Sequence, residues 1–240
     1  MYAQKKGDFI KGPVFGINYV VVTGEGINKI NQQIQEEINN YENIDGLEMD
    51  GNIFSKKGFN VGFFINYYLL NNLAFNTNLT LSQKGFNIKK SFKLTTGLDY
   101  QITEKTKVNL NYVDFPLLLK YHLGNGFEIS SGLLLSYLIS DKVTTESTEI
   151  YETSDSLYGN PITVIEYTLI EESYKKKFDL REPNKMLTGF MFSISYVMNR
   201  INLALNIQTN SSFGYIYNIG NNKNISLQFQ VGYILGKEQN

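Results

Sequence analysis

The 240-residue sequence contains no cysteine, no tryptophan and a single histidine, His122. The absence of cysteine excludes a disulfide framework and any thiolate metal site. One histidine also gives no basis for a clustered zinc or iron centre, so we predict no metal and no cofactor. The formal net charge of -1 lacks the basic excess of nucleic-acid-binding proteins, and no nucleic-acid partner is expected.

Long apolar runs are also missing. No stretch approaches the roughly 18 apolar residues of a membrane helix, so a spanning structure would have to be a closed β-barrel. The first residues, Met1 to Gln4, show neither the charged nor the apolar region of a signal peptide. Two interpretations stay open, namely removal of a signal peptide after Ala3 and an unprocessed start.

Strand-like alternation is what the chain does contain, and the stretch from Tyr112 to Tyr121 shows it best. Its apolar residues occupy alternate positions, whereas Asp114 and Lys120 lie on the opposite face. Similar alternation occurs near residues 15–21, 59–67, 73–81, 127–139, 190–198, 201–209 and 225–235. We therefore predict eight strands of about ten residues, a length that crosses a bilayer when the strand is tilted.

The connections between these strands alternate in length. Long polar segments occupy 24–57, 82–111 and 140–185, a medium one occupies 210–223, and short turns lie between them. Outer-membrane barrels have long extracellular loops and short periplasmic turns. We predict an all-β, eight-stranded antiparallel up-and-down transmembrane barrel that forms a single domain over 1–240. It would lie in the bacterial outer membrane with both termini in the periplasm.

A soluble barrel of the lipocalin type has the same alternation, and charge distinguishes the two. The predicted strands contain only three charged residues, Asp114, Lys120 and Glu128, and all three lie on the polar face. A soluble barrel would carry lysine and glutamate over its exterior. The pattern favours a barrel whose apolar face meets lipid.

Asp114, Lys120 and Glu128 are predicted to form a network inside the barrel, because an eight-stranded barrel is filled by its own side chains. A five-residue turn after the fourth strand would set Lys120 opposite Glu128, and Asp114 is left without an assigned partner. Pro116 removes a ladder donor in mid-strand. A bulge that shapes the lumen is one interpretation of Pro116, and a tolerated irregularity is the favoured one.

The long polar segments carry the remaining candidate features. Ile27, Ile30, Ile34 and Ile38 recur at spacings of three and four, which predicts a short helix on the barrel rim. Segment 82–111 could extend strand-like beyond the membrane, and 140–185 is predicted to be a surface loop. Its acidic clusters, Glu171-Glu172 and Asp179 with Glu182, could bind divalent cations that bridge lipopolysaccharide, although solvated loop charges explain them more simply. Asp155-Ser156-Leu157 resembles a short O-glycosylation acceptor motif.

Three segments carry a family resemblance: Ser82-Gln83-Lys84-Gly85, the strand from Tyr112 to Tyr121 with its Pro-Leu-Leu-Leu-Lys-Tyr sequence, and residues 132–138. They resemble the PorT-like outer-membrane β-barrel family of Bacteroidota. The resemblance implies an outer-membrane location and an eight-stranded barrel. It implies little about activity, because most members have no assigned biochemistry and the founding member is linked to type IX secretion.

The leading functional hypothesis is a non-enzymatic barrel that contacts outer-membrane lipid or lipopolysaccharide and binds another envelope component, in secretion or in outer-membrane assembly. A small channel or transporter is the first alternative. A rim enzyme that acts on lipid is the second, and it lacks an obvious base, since His122 falls in a predicted periplasmic turn.

Overall fold

The computed structural model describes residues 5–41, 45–95, 99–153, 162–172, 185–214 and 221–238. These residues form one helix and ten strands: β1 (Phe9–Gly24), α1 (Glu25–Tyr41), β2 (Leu47–Leu70), β3 (Leu73–Leu94), β4 (Asp99–Gly124), β5 (Phe127–Thr153), β6 (Ile162–Glu172), β7 (Met186–Met198), β8 (Ile201–Gly214), β9 (Asn221–Tyr233) and β10 (Leu235–Glu238).

Eight of the strands close into a ring. Each pairs antiparallel with the next, in the order β1-β2-β3-β4-β5-β7-β8-β9, and β9 pairs back with β1. The remaining two strands lie off this path, with β6 paired to β5 and the short β10 paired to the start of β1. The predicted eight-stranded up-and-down barrel is confirmed.

Tight two-residue turns lie at one end of the barrel, which we call the turn end; the opposite end is the tall end. The turns are Asn71-Asn72, Asn125-Gly126 and Asn199-Arg200. Asn125 and Gly126 have φ values of 51° and 86°, the left-handed geometry of a type I′ hairpin turn.

The predicted five-residue turn between the fourth and fifth strands is wrong. The ladder shifts between His122 and Gly124, and Glu128 lies opposite His122 while Lys120 lies opposite Ser130. β4 therefore has one extra residue between His122 and Gly124. This residue keeps outward residues of β4 opposite outward residues of β5, which a two-residue turn alone would not do. As a result, outward-facing Tyr121 still pairs with outward-facing Ile129.

The strands of the ring differ greatly in height. β2 to β5 contain 24, 22, 26 and 27 residues, whereas β7, β8 and β9 contain 13, 14 and 13. At roughly 3.3 Å per residue and a tilt of about 40°, the 26-residue β4 rises about 65 Å and the 13-residue β7 about 33 Å. The bilayer core is about 30 Å thick. Segments 47–57, 83–94, 99–111 and 140–153 therefore rise above it, and together with β6 we call them the wall.

The wall corrects one sequence prediction and supports another. Segment 82–111 forms the predicted strand-like extension of β3 and β4, but 140–185 is not simply a surface loop, because 140–153 continues β5 and 162–172 forms β6. Val143 and Thr145 are buried on the inner face of β5. The alternation thus continues with small and polar residues that the apolar pattern alone did not reveal.

Large apolar side chains form a belt around the barrel nearer the turn end. They point outward and are exposed, as shown by Phe63 at 56%, Leu79 at 59% and Phe190 at 66% of their surface. The outward faces agree with the sequence prediction. Within the described part of the chain, no helix has the length and hydropathy needed to cross a membrane.

Candidate functional site: the lumen and the wall

A charged cluster lies in the lumen near the turn end. Lys120 Nζ donates a hydrogen bond to Glu128 Oε2 at 2.9 Å, although the two residues are not direct ladder partners. Ser195 Oγ donates to the same oxygen at 3.0 Å, and His122 Nδ1 lies 3.3 Å from Glu128 Oε1. Glu128 is 1% exposed, so these groups replace its hydration.

Asp114 belongs to a second, separate ion pair nearer the tall end. Lys84 Nζ lies 2.9 Å from Asp114 Oδ2, and both side chains are 1% exposed. Ser136 Oγ also donates to Asp114 Oδ1 at 2.5 Å. The predicted lumen residues are therefore not one network, because Asp114 pairs with a residue that the strand prediction left out.

Sequence reasoning missed Lys84 because it assigned residues from Ser82 onward to a polar segment between the third and fourth strands. The signal was present, since Lys84 continues the inward parity of Thr80 and Ser82. The structure also places the Lys84 ammonium 5.2 Å from the ring centre of buried Tyr112, a cation–π distance.

Side-chain amides fill the middle of the lumen. Gln230 Nε2 on β9 donates to Asn60 Oδ1 on β2 at 2.8 Å over Gly16 of the intervening β1, and Gln208 and Gln228 exchange two hydrogen bonds of 3.1 and 2.9 Å. The buried amides come from β1, β2, β3, β8 and β9 and are Asn18, Asn60, Asn66, Asn76, Asn78, Asn206, Gln208, Asn210, Gln228 and Gln230. A cavity of about 30 Å³ remains beside them, with room for about two water molecules.

Helix α1 packs over the lumen at the tall end instead of lying on the rim. Ile27, Ile30 and Ile34 are buried in one apolar cluster with inward-facing residues of β1, β3, β4, β5 and β7. At Gly51 on β2 an added Cβ would lie 2.4 Å from Ile34 Cγ2, so the helix needs a glycine there to approach the sheet. The apolar cluster consists of Val20, Val22, Ile27, Ile30, Ile34, Phe86, Ile88, Val108, Leu110, Tyr112, Leu138, Val143 and Leu187.

Pro116 interrupts one ladder without shifting the register. The β3 to β4 pairing passes from Thr77 with Leu117 to Thr80 with Asp114 at constant register, and Pro116 pairs with Leu134 of β5. Thr77 Oγ1 donates to the Pro116 carbonyl at 2.8 Å. The geometry gives Pro116 the position of an interruption and shows no bulge at this residue.

The outer face of the wall contains a half-buried lysine at Gly85. Lys56 Nζ donates to Asn109 Oδ1 and lies 3.4 Å from the Val108 carbonyl oxygen, both on β4. Gly85 of β3 pairs with Asn109 of β4, and a Cβ at Gly85 would lie 2.0 Å from the Val108 carbonyl oxygen, so the strands need a glycine there. Burial, and then the charge of Lys107, lower the pKa of Lys56 from its usual 10.5.

Several other candidate features lie outside the described residues, namely Asp155-Ser156-Leu157 and the pair Asp179 and Glu182. Glu171-Glu172 fall at the end of β6. Within the described residues, no group of three histidine, aspartate or glutamate side chains could hold a metal ion.

Solved outer-membrane proteins resemble this chain at low identity. OprG from Pseudomonas aeruginosa is 13% identical, with 97% of this chain and 98% of that chain covered and a TM-score of 0.39. Ail of Yersinia pestis, solved in complex with the heparin analogue sucrose octasulfate, is 9% identical, with 96% and 99% covered and a TM-score of 0.36. Neisserial surface protein A is 11% identical, with 95% and 97% covered and a TM-score of 0.34. A comparison with curated proteins finds no match.

The family comparison covers most of the barrel. The profile described as the outer membrane protein beta-barrel domain matches residues 2–222, a range that reaches the first residues of β9. The narrower PorT-like and Bacteroidota assignment stays a prediction. The chain belongs to the outer membrane protein beta-barrel domain family and is an outer-membrane β-barrel.

Proposed function

We propose that this protein is a non-enzymatic interaction component of an envelope complex and that it binds its partner through the wall. The single observation that carries the proposal is the difference in height between β2–β5 and β7–β9. A barrel that only spanned the bilayer would need strands no longer than β7. The extra length of β2–β5 builds a surface outside the membrane.

The filled lumen supports a role at this surface. Ion pairs, side-chain amides and the cluster under α1 occupy the described interior, and the cavity beside the amides has a volume of only about 30 Å³. A substrate path would need a continuous opening, which these side chains occupy. The long strands also support an orientation in which the tall end is extracellular and the turn end periplasmic.

The edge of the wall is the part best suited to a protein partner. Segment 47–55 of β2 pairs with β3 on one side, whereas the β1 to β2 ladder stops at Val20 with Lys56. Among the described residues no strand covers the other side of 47–55. An edge without a neighbouring strand offers backbone donors and acceptors to an added strand. Secretion and outer-membrane assembly complexes are the assemblies in which we place such a contact.

Site-specific photocrosslinking in native membranes tests this proposal. A photoreactive side chain at exposed Asp50 on the wall edge should give a discrete crosslinked band with another envelope protein. The same probe at exposed Asn72, in a turn at the opposite end, is the matched control and should not give that band. Recovery of uncrosslinked monomer alone from the Asp50 probe, or the same band from both positions, would contradict the proposal.

A further inference from the structure

The outer face of the wall concentrates lysines above the apolar belt. Three consecutive outward positions on each of β2, β3 and β4 form this surface. They are Asn52, Phe54 and Lys56 on β2, Gly85, Asn87 and Lys89 on β3, and Lys105, Lys107 and Asn109 on β4. These nine positions hold four lysines and no acidic residue. We call Lys56, Lys89, Lys105 and Lys107 the lysine patch.

The register forces the lysines of the patch close together. Lys89 and Lys105 are exposed and lie directly opposite each other on neighbouring strands. Like charges in that arrangement destabilise a sheet. On its other side, Lys105 lies opposite Glu146 of β5. Lys107 pairs at 2.5 Å with Glu146 of β5, and the ammonium of Lys56 meets neutral acceptors on β4. The fold therefore maintains a cationic surface whose charges are only partly compensated by protein groups.

The position of the patch indicates what kind of anion it would meet. Outward Phe59 on β2 is 48% exposed and lies three residues from Lys56, on the side toward the turn end. On β3 and β4 the outward residues below the patch include Leu81 and Val113, which pair with each other. Acyl chains that cover this belt would hold the base of their headgroups beside Lys56. Lys89 and Lys105 lie eight residues beyond Leu81 and Val113, so they face the phosphorylated sugars that extend above the acyl chains. A free anion does not contact the apolar belt, so the belt would not hold it at that height.

We propose that the lysine patch binds the phosphate groups of a phosphorylated glycolipid of the lipopolysaccharide type in the leaflet that surrounds the tall end. The belt contacts the acyl chains and the patch contacts the phosphates, so one lipid molecule uses both surfaces. The inference depends on the proposed outward orientation of the tall end, but binding itself can be measured in detergent, where orientation has no effect.

Native mass spectrometry in neutral-detergent micelles tests the site. The probes are a lipopolysaccharide with a phosphorylated inner core, the same molecule without phosphates, and inorganic phosphate. Wild-type protein should prefer the phosphorylated lipid by on the order of tenfold or more, because each lysine near a charged lipid surface contributes on the order of 1 kcal/mol. Lys89→Gln/Lys105→Gln should remove that preference. Lys5→Gln/Lys6→Gln makes the same charge change in exposed residues at the turn end and should keep it.

Three results would overturn the proposal: equal binding of the two lipids by wild-type protein, an unchanged preference in Lys89→Gln/Lys105→Gln, or an equal loss in both double variants. Displacement of the lipid by an equal concentration of inorganic phosphate would identify a free-phosphate site and would also overturn it. The substitution at Lys89 and Lys105 removes a repulsion, so a folded barrel is expected. The photocrosslinking at Asp50 detects a protein partner and not a lipid, so its failure would leave these measurements in detergent unaffected.

Discussion

The lumen and the outer face of the wall differ in how their lysines are paired. Inside the barrel, Lys84 contacts Asp114 and Lys120 contacts Glu128, each at 2.9 Å and nearly without exposure. On the outer face, Lys89 and Lys105 lie opposite each other on neighbouring strands, and both are exposed to solvent. Buried charges must be paired because an unpaired one is costly. The exposed lysines are free of that requirement, so their arrangement can serve an external ligand.

The largest effect is expected when one partner of a lumen pair is removed. Asp114→Ala leaves the Lys84 ammonium buried without its carboxylate and should lower the free energy of unfolding by about 3–5 kcal/mol. The double variant Lys84→Met/Asp114→Leu removes both charges and should be far closer to wild type. Urea unfolding in detergent micelles measures both. A loss below about 1 kcal/mol in Asp114→Ala would show that the pair is less buried than described.

A charge on the buried face of α1 should weaken its packing over the lumen, whereas a charge on its exposed face should not. Ile34→Asp places a carboxylate in the apolar cluster and should cost about 2–5 kcal/mol of helix docking. Gln35→Asp introduces the same group at an exposed neighbouring position and should have little effect. Hydrogen exchange of residues 25–41 reports the docking. Equal exchange rates in the two variants would mean that Ile34 does not hold α1 over the lumen.

A charge reversal in the lysine patch should separate stability from binding. Lys89→Glu faces Lys105 with an opposite charge and should raise the free energy of unfolding in lipid-free micelles by about 0.2–1 kcal/mol. The same variant should bind the phosphorylated glycolipid more weakly. Lys5→Glu, at the turn end, is the control for the change in net charge. Destabilisation by Lys89→Glu would contradict the repulsion inferred between the two strands.

The smallest effect concerns the titration of Lys56. Its pKa in the folded protein lies below the unfolded value of 10.5, so the folded state binds fewer protons in the pH range just below 10.5. Stability should therefore increase as pH rises through that range. Lys56→Met should remove this part of the slope, and Lys107→Gln should reduce it by removing a neighbouring charge. Unfolding curves at several pH values measure it, and an unchanged slope in Lys56→Met would assign it to another group.

Alternation of apolar residues was sufficient to predict the ring, because one exposed apolar face fixes which side of each strand meets lipid. The same parity argument placed Lys120 and Glu128 in the lumen. It could not choose between a longer turn and an extra strand residue, since either restores the pairing of Tyr121 with an outward residue. The structure has the extra residue.

The features that escaped prediction lie where the apolar signal fades. Above the belt the outward positions become polar, so the strands of the wall no longer show a hydrophobic face toward lipid. For that reason Lys84 was not predicted to lie in the lumen, although it is the next inward residue after Ser82. The isoleucine spacing predicted α1 but could not indicate that the helix covers the lumen, because that placement depends on inward residues of β3 and β4 such as Phe86 and Val108.

Single-channel recording in planar bilayers tests most directly the claim that the lumen is closed and that binding takes place outside it. The protein is delivered to the bilayer from vesicles, and its insertion is verified by recovering it from those vesicles. Wild-type protein should then give no stepwise conductance above that of the bare membrane. The ion pairs, the amides and the cluster under α1 are the reason for this expectation. Regular conductance steps that scale with salt concentration would contradict the account, because they would require a continuous water path through the lumen.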